Sequence, residues 1–437
     1  MPVPSRLSKA MRLALLLSLL GLSALSLAPE RPAQAAQPTM PSIGIVCTSN
    51  ASATFTLHTR DGYINIPDGN TVYMWGYSEG NRPFQHPSPV LCVNQGDTVT
   101  IVLHNNLNEN VSIIFPGQEG VLANGMPAQP QFDANGVLIS LTNVAPANGG
   151  TVTYSFVASQ PGTYLYMSGT EPAKQVQMGL FGMLVVRPSL GANYAYNDPG
   201  SKFNPEAEYM VLLSEIDPLL HQAVAQRQPF NMNNYHPRYF MLNGRSFPDT
   251  IADNGVNYLP SQPYGAFARI YPYDPVTYPD PMLVRYANVS SQTVFFHPHG
   301  NHGRVIARDG RVLLGPALED ASYEKFTVPV GAGQTWDSLF TWTDSEKWDP
   351  VDNPIPVTIP QLQNLTFGTV FALYSGSPYL GKLDKLPVGT TTLNQCGEYY
   401  HIAHNHNLSQ TTAWGVVMSG QITATRIDPP LPNSCTP

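Results

Sequence analysis

The chain has 437 residues, enough for two or three domains that each enclose a core. A hydrophobic fraction of 42% excludes general disorder, and a sparse, acidic charge set (12% charged, formal charge −8) argues against nucleic acid as a partner. With 42 Pro and 35 Gly among many Tyr, Thr, Val and Asn, the composition predicts an all-β protein with long, ordered loops.

In chain order, Arg6, Lys9 and Arg12 precede the apolar run LALLLSLLGLSALSLA, and Ala33-Gln34-Ala35 then supplies small residues for a cleavage site. This pattern reads as an export signal over residues 1–35; the alternative, a membrane anchor, would need a longer apolar run. Cleavage would remove four basic side chains and one acidic one, taking the formal charge from −8 to −11. No later segment is apolar enough to span a bilayer. The mature chain is therefore expected in the periplasm, at the cell surface or outside the cell. Four cysteines, Cys47, Cys92, Cys396 and Cys435, predict two disulfides with three pairings open. None lies in a C-x-x-C pair, which argues against a thiolate metal site.

A first domain is expected over 36–188. Within it VLCVNQGDTVTIVLHNNL reads as strand, turn and strand, GTVTYSFVASQPGTYLYMSG repeats that layout, and GLFGMLVVRP is a buried strand stopped by proline. Met167, Met178 and Met183 look like a core stripe here. Residues 189–205, rich in Gly, Pro, Asn and Ser, read as a linker. A second domain follows over 206–430, opening with the strand EYMVLLSEI and closing with GQITATRI, with Met418 as core in the last strand. A loop-rich insertion is expected over 342–395 and a tail over 431–437. Strands this short at this spacing point to two Greek-key sandwiches or barrels.

Six of the eleven histidines sit in two short segments: His297, His299 and His302 in FFHPHGNHGRVI, and His401, His404 and His406 in YYHIAHNH. In a strand, residues i and i+2 share a face, so His297 pairs with His299 and His404 with His406. Three or more imidazoles without a thiolate suit copper, zinc, iron or nickel. The other five, His58, His86, His104, His221 and His236, are isolated and read as structural. Arg304, Arg308 and Asp309 are expected to pair or to line a turn.

FMLNGRSFPDT, MLVRYANVSSQTVFFHPHGNHGRVIARDG and YYHIAHNH together resemble the second half of multicopper oxidases, and the strands at 97–107 and 150–167 with QVQMGLFGMLVV resemble their first domain. The likeness runs over nearly all of residues 40–430. It implies two cupredoxin-type β-barrels or sandwiches and, in the family, a trinuclear copper cluster held by eight histidines. The family's H-W-H-G falls at Ile114-Phe115-Pro116-Gly117 and its H-S-H at Met167-Ser168-Gly169. His297 and His299 fall on paired-histidine positions and His401 on the second histidine of H-C-H-I. Tyr400 stands at the blue-copper cysteine and Tyr399 at the histidine before it. The remaining blue-site histidines align with Val294 and Asn405, or with His406 after a one-residue shift. The resemblance thus implies a family member without the full four-copper centre.

Two functional readings follow. The first is an exported oxidoreductase with a reduced, histidine-only metal site, copper foremost, acting on a small molecule or metal ion. The second is a non-catalytic secreted protein: a metal binder, a surface protein, or a homo-oligomer or assembly subunit.

Overall fold

The computed structural model describes residues 40–343 and 399–428. The expected signal, nearly all of the insertion, the tail, Cys396 and Cys435 lie outside these residues. Among the described cysteines, Cys47 is disulfide-bonded to Cys92.

Alternation sets the first two sheets. Apolar residues fall on alternate positions at the start of Thr54–Asn65 and along most of Thr98–Asn105, so Phe55, Leu57, Val99, Ile101 and Leu103 turn inward and are buried. These strands pair in parallel within a six-stranded sheet that also holds Thr71–Glu79, Gly150–Val157, Leu122–Ala123 and Met126–Pro127. It faces a four-stranded sheet of Cys47–Thr48, Val90–Asn94, Phe181–Arg187 and Gly162–Met167. The Asn-Gln-Gly-Asp turn and the Gln160-Pro161-Gly162 corner each carry the chain from one sheet to the other. Gly96 takes φ +89 to do so, a conformation that favours glycine.

The second half repeats the plan. One sheet orders Tyr239–Leu242, Glu208–Ile216, Met282–Asn288, Thr335–Phe340, Gly303–Arg308 and Arg311–Val312, with Tyr323–Lys325 beside Gly303–Arg308. The other orders Ala268–Ile270, Ile422–Ile427, Tyr399–Asn405, Val294–Pro298 and Val328–Val330. Tyr209, Val284, Tyr286, Phe296, Phe340 and Ala403 fill the space between them. The architecture is two cupredoxin-type β-sandwiches in tandem, as the composition and the resemblance predict.

Phe181–Arg187, Glu208–Ile216 and Met282–Asn288 are mostly apolar and buried almost throughout because both of their faces are covered. Their second faces meet in a shared layer of Val90, Leu165, Met183, Val185, Met210, Leu212 and Ala287. Each fully buried side chain of this kind stabilises the fold by about 1.5–3 kcal/mol. An ionic network completes the layer. Arg285, fully buried, donates to Glu208 at 2.6 Å and to Thr163 at 2.8 Å, and Asp337 lies 3.7 Å from its guanidinium. Arg187 also donates to Glu208 at 2.6 Å. Tyr196, from the stretch that reads as a linker, is buried and donates to Asp337.

Met178 and Met183 are fully buried and Met167 partly so, within the first sandwich and the shared layer. Met418 differs from its expected place. It sits in the turn before Ile422–Ile427 with φ +56, only partly buried, because the strand starts after Gly420. Asp309 and Gly310 both take positive φ and close the turn between Gly303–Arg308 and Arg311–Val312.

Candidate functional site

Val294 and Phe296 turn into the second core, which leaves Phe295 and His297 on the outer face of the strand Val294–Pro298. This strand runs antiparallel to Tyr399–Asn405, with His297 directly opposite His404. The backbone of His299 donates to Ile402 at 2.9 Å, and that of His406 to Phe295 at 2.6 Å. Register and alternation therefore gather His297, His299, His404 and His406 on one outer face.

The four rings touch. Centroids of His297 lie 4.6 Å from His299, 5.6 Å from His404 and 5.0 Å from His406; His299 to His404 is 5.1 Å and His404 to His406 is 6.0 Å. The Nε2 atoms of His299 and His404 are 3.0 Å apart. His406 is exposed and the other three are half-buried. The Nδ1 of His297 meets the Phe326 carbonyl at 2.6 Å, and the Nδ1 of His404 meets the Asn405 carbonyl at 2.8 Å. A carbonyl only accepts, so each Nδ1 carries the proton and each Nε2 presents a lone pair. Burial, then the neighbouring rings, pushes the His299 pKa down to about 4. Burial is also the first cause of the lowered pKa of His404. Both rings are neutral at neutral pH, the form that binds metals.

Two supports hold this face in place. Asn405 is fully buried, donates to Gln421 at 2.7 Å and to Gln410, and accepts from the Asn407 backbone at 2.9 Å, so the turn carrying His406 is braced. Gly300 takes φ +90, and a Cβ there would stand 2.6 Å from the Trp342 ring. The Phe326 carbonyl that orients His297 left no trace in the sequence, because any residue type supplies a carbonyl.

The other two expected ligands lie elsewhere. His401 is three residues before His404 and so projects from the opposite face of its strand; it is buried, its ring 4.6 Å from that of Trp342. His302 is exposed beyond Phe326, at 6.2 Å from that ring. Tyr400 is buried and packs on Phe267 at 6.2 Å. Among the described residues, no group of three or more His, Cys, Asp or Glu side chains stands ready to hold a metal ion as placed. The close approach is pairwise, between His299 and His404.

In the first sandwich, Ile114 bridges Met167 backbone to backbone at 2.8 Å. Beside them, hydroxyls satisfy one another: Thr170 donates to Ser112 at 2.9 Å, Ser140 lies 3.0 Å from Thr170, and Ser168 donates to Gln175 at 2.7 Å. This neutral hydroxyl network lies beside Ile114, Met167 and Gly169, which stand where the family pattern has histidines.

Residues 59–190 match the family model described as Multicopper oxidase. Copper resistance protein A of Escherichia coli is 29% identical over 174 residues, which cover 38% of this chain and 25% of that protein. L-ascorbate oxidase of Cucurbita maxima is 29% identical over 167 residues, covering 37% and 25%. The matched region is thus about a quarter of each relative's length. Two solved structures share the fold. The blue copper oxidase from Nitrosomonas europaea superposes with a TM-score of 0.56 at 18% identity, covering 86% of this chain and 85% of that one. The multicopper oxidase mgLAC gives 0.55 at 19%, covering 86% of each. No helix among the described residues is long and apolar enough to cross a membrane.

Proposed function

We propose, for a chain that matches the multicopper oxidase and cupredoxin superfamily in family and fold, that it acts as a non-catalytic, exported metal-binding protein. Its site is the outer face bearing His297, His299, His404 and His406. The observation that carries this reading is the 3.0 Å approach of the His299 and His404 Nε2 atoms. Two nitrogens that each lie about 2.0–2.1 Å from one ion are themselves about 3 Å apart, so the pair fits an ion without backbone movement. His297 and His406 supply further imidazoles after side-chain rotation. Such a donor set binds copper most strongly among the divalent first-row ions, ahead of zinc, nickel and iron.

Loss of oxidase chemistry is inferred from what surrounds the expected copper positions. The first sandwich offers Ile114, Met167 and a closed hydroxyl network, and Tyr400 stands buried where the resemblance places the thiolate. A bound ion would supply Lewis acidity and a redox couple. The chain's own residues orient the imidazoles through the Phe326 and Asn405 carbonyls and leave one side open to solvent. Export rests on the signal-like residues 1–35, and the division into domains 36–188 and 206–430 on the two sandwiches.

The test is oxygen uptake by copper-loaded protein with a phenolic donor and with a reduced metal ion. Retained copper without oxygen uptake supports a binder. Donor-dependent oxygen uptake, lost on His299→Ala, overturns it in favour of an oxidase.

A further inference from the structure

His58 and His104 are isolated in the sequence but are direct register partners on the parallel strands Thr54–Asn65 and Thr98–Asn105. Their rings stack with centroids 4.7 Å apart and planes 12° from parallel. Phe55, Leu57, Ile101 and Leu103 point into the first core, so both imidazoles stand on the outer face of the six-stranded sheet, each half-exposed. Thr56 and Arg60 flank His58 along its strand, Val102 and Asn106 flank His104, and across the sheet His58 faces Ser78 and His104 faces Thr151. Burial, then His104, then Arg60 lowers the pKa of His58, which favours its neutral ligand form at neutral pH.

We propose that His58 and His104 form a second metal site, a two-imidazole surface site for Cu(II). The ring separation lies within the 4.6 to 6.0 Å found among the four clustered histidines of the other sandwich. Side-chain rotations that unstack the two rings bring one nitrogen of each toward a shared ion, and the exposed side leaves room for water to complete its coordination. Arg60 on the same face repels cations and weakens every ion's binding. Only the ion with the strongest preference for imidazole overcomes that repulsion, and among divalent first-row metals this is Cu(II). The site shares no residue with the His297 cluster and does not rest on that cluster binding metal.

The test is a Cu(II) titration of the full chain, followed by calorimetry and by electron paramagnetic resonance. It compares wild type, His58→Gln/His104→Gln, and His297→Ala/His299→Ala/His404→Ala/His406→Ala. The inference expects the His58/His104 variant to lose one equivalent of Cu(II) with its nitrogen hyperfine signal, and the four-alanine variant to keep that equivalent. A wild type that binds one Cu(II) and loses it only in the His58/His104 variant supports this site and sinks the cluster reading. An unchanged stoichiometry in His58→Gln/His104→Gln overturns the inference. If the four-alanine variant fails to fold, the wild type and the glutamine variant alone still decide.

Discussion

His299 and His404, 105 residues apart in the chain, place their Nε2 atoms 3.0 Å from one another across two antiparallel strands. The Asn405 carbonyl keeps the proton of His404 on Nδ1, so in the metal-free chain His299 donates and His404 accepts. An ion entering between them replaces one shared proton.

Replacing either ring by alanine removes a donor from this pair. Because losing only an orienting partner costs about 10–100-fold in metal affinity, His299→Ala and His404→Ala are each expected to cost at least about 100-fold. His302→Ala, on the exposed position beyond Phe326, is expected to change it little. Copper affinities measured calorimetrically for the three variants check this ordering.

Gly300 bends the chain just after His299. Alanine at φ +90 is strained by about 1–2 kcal/mol, and its Cβ would stand 2.6 Å from the Trp342 ring. Gly300→Ala is therefore expected to lower Tm and to weaken metal binding together, since His299 and the turn move as one. A lowered Tm with unchanged copper affinity would show that the turn and the ligand are uncoupled.

Arg285 reaches across to Thr163 of the first sandwich and pairs within its own sheet with Glu208 and Asp337, all three charged groups buried. Arg285→Met leaves Asp337 without its cation and Glu208 with Arg187 alone, and is expected to destabilise the fold by about 3–5 kcal/mol in urea denaturation. The double variant Arg285→Met/Glu208→Gln should recover part of the loss.

Acid should loosen the fold through two buried histidines. Burial lowers the pKa of His86 to about 3 and that of His221 to about 4, from 6.5. Above pH 6.5 both are neutral whether folded or not, so they add no pH dependence. As pH falls below 6.5 the unfolded chain takes up protons that the folded chain refuses, and stability declines until the folded pKa values are reached. Tm followed from neutral pH to about pH 4 should fall, with a shallower slope in His221→Asn, which can retain the 2.6 Å bond to the Tyr73 carbonyl.

The sandwiches were legible because alternation in Thr98–Asn105 and apolar runs such as residues 181–186 report burial on one face or two. The pairing of His297 with His299 was legible for the same reason. The position of His401 was not, because a three-residue offset from His404 reverses the face within a motif that looks like one cluster. His58 and His104 could not be joined from sequence, since only the sheet register brings them together. Tyr196 was hidden in a segment whose Gly, Pro and Asn content masks a buried hydroxyl.

The most direct measurement of the central claim is the copper content of purified, copper-equilibrated protein by mass spectrometry, against the variant His297→Ala/His299→Ala/His404→Ala/His406→Ala checked for folding by circular dichroism. The four-imidazole face predicts one equivalent fewer in a folded variant. Equal copper in the two folded proteins would contradict it.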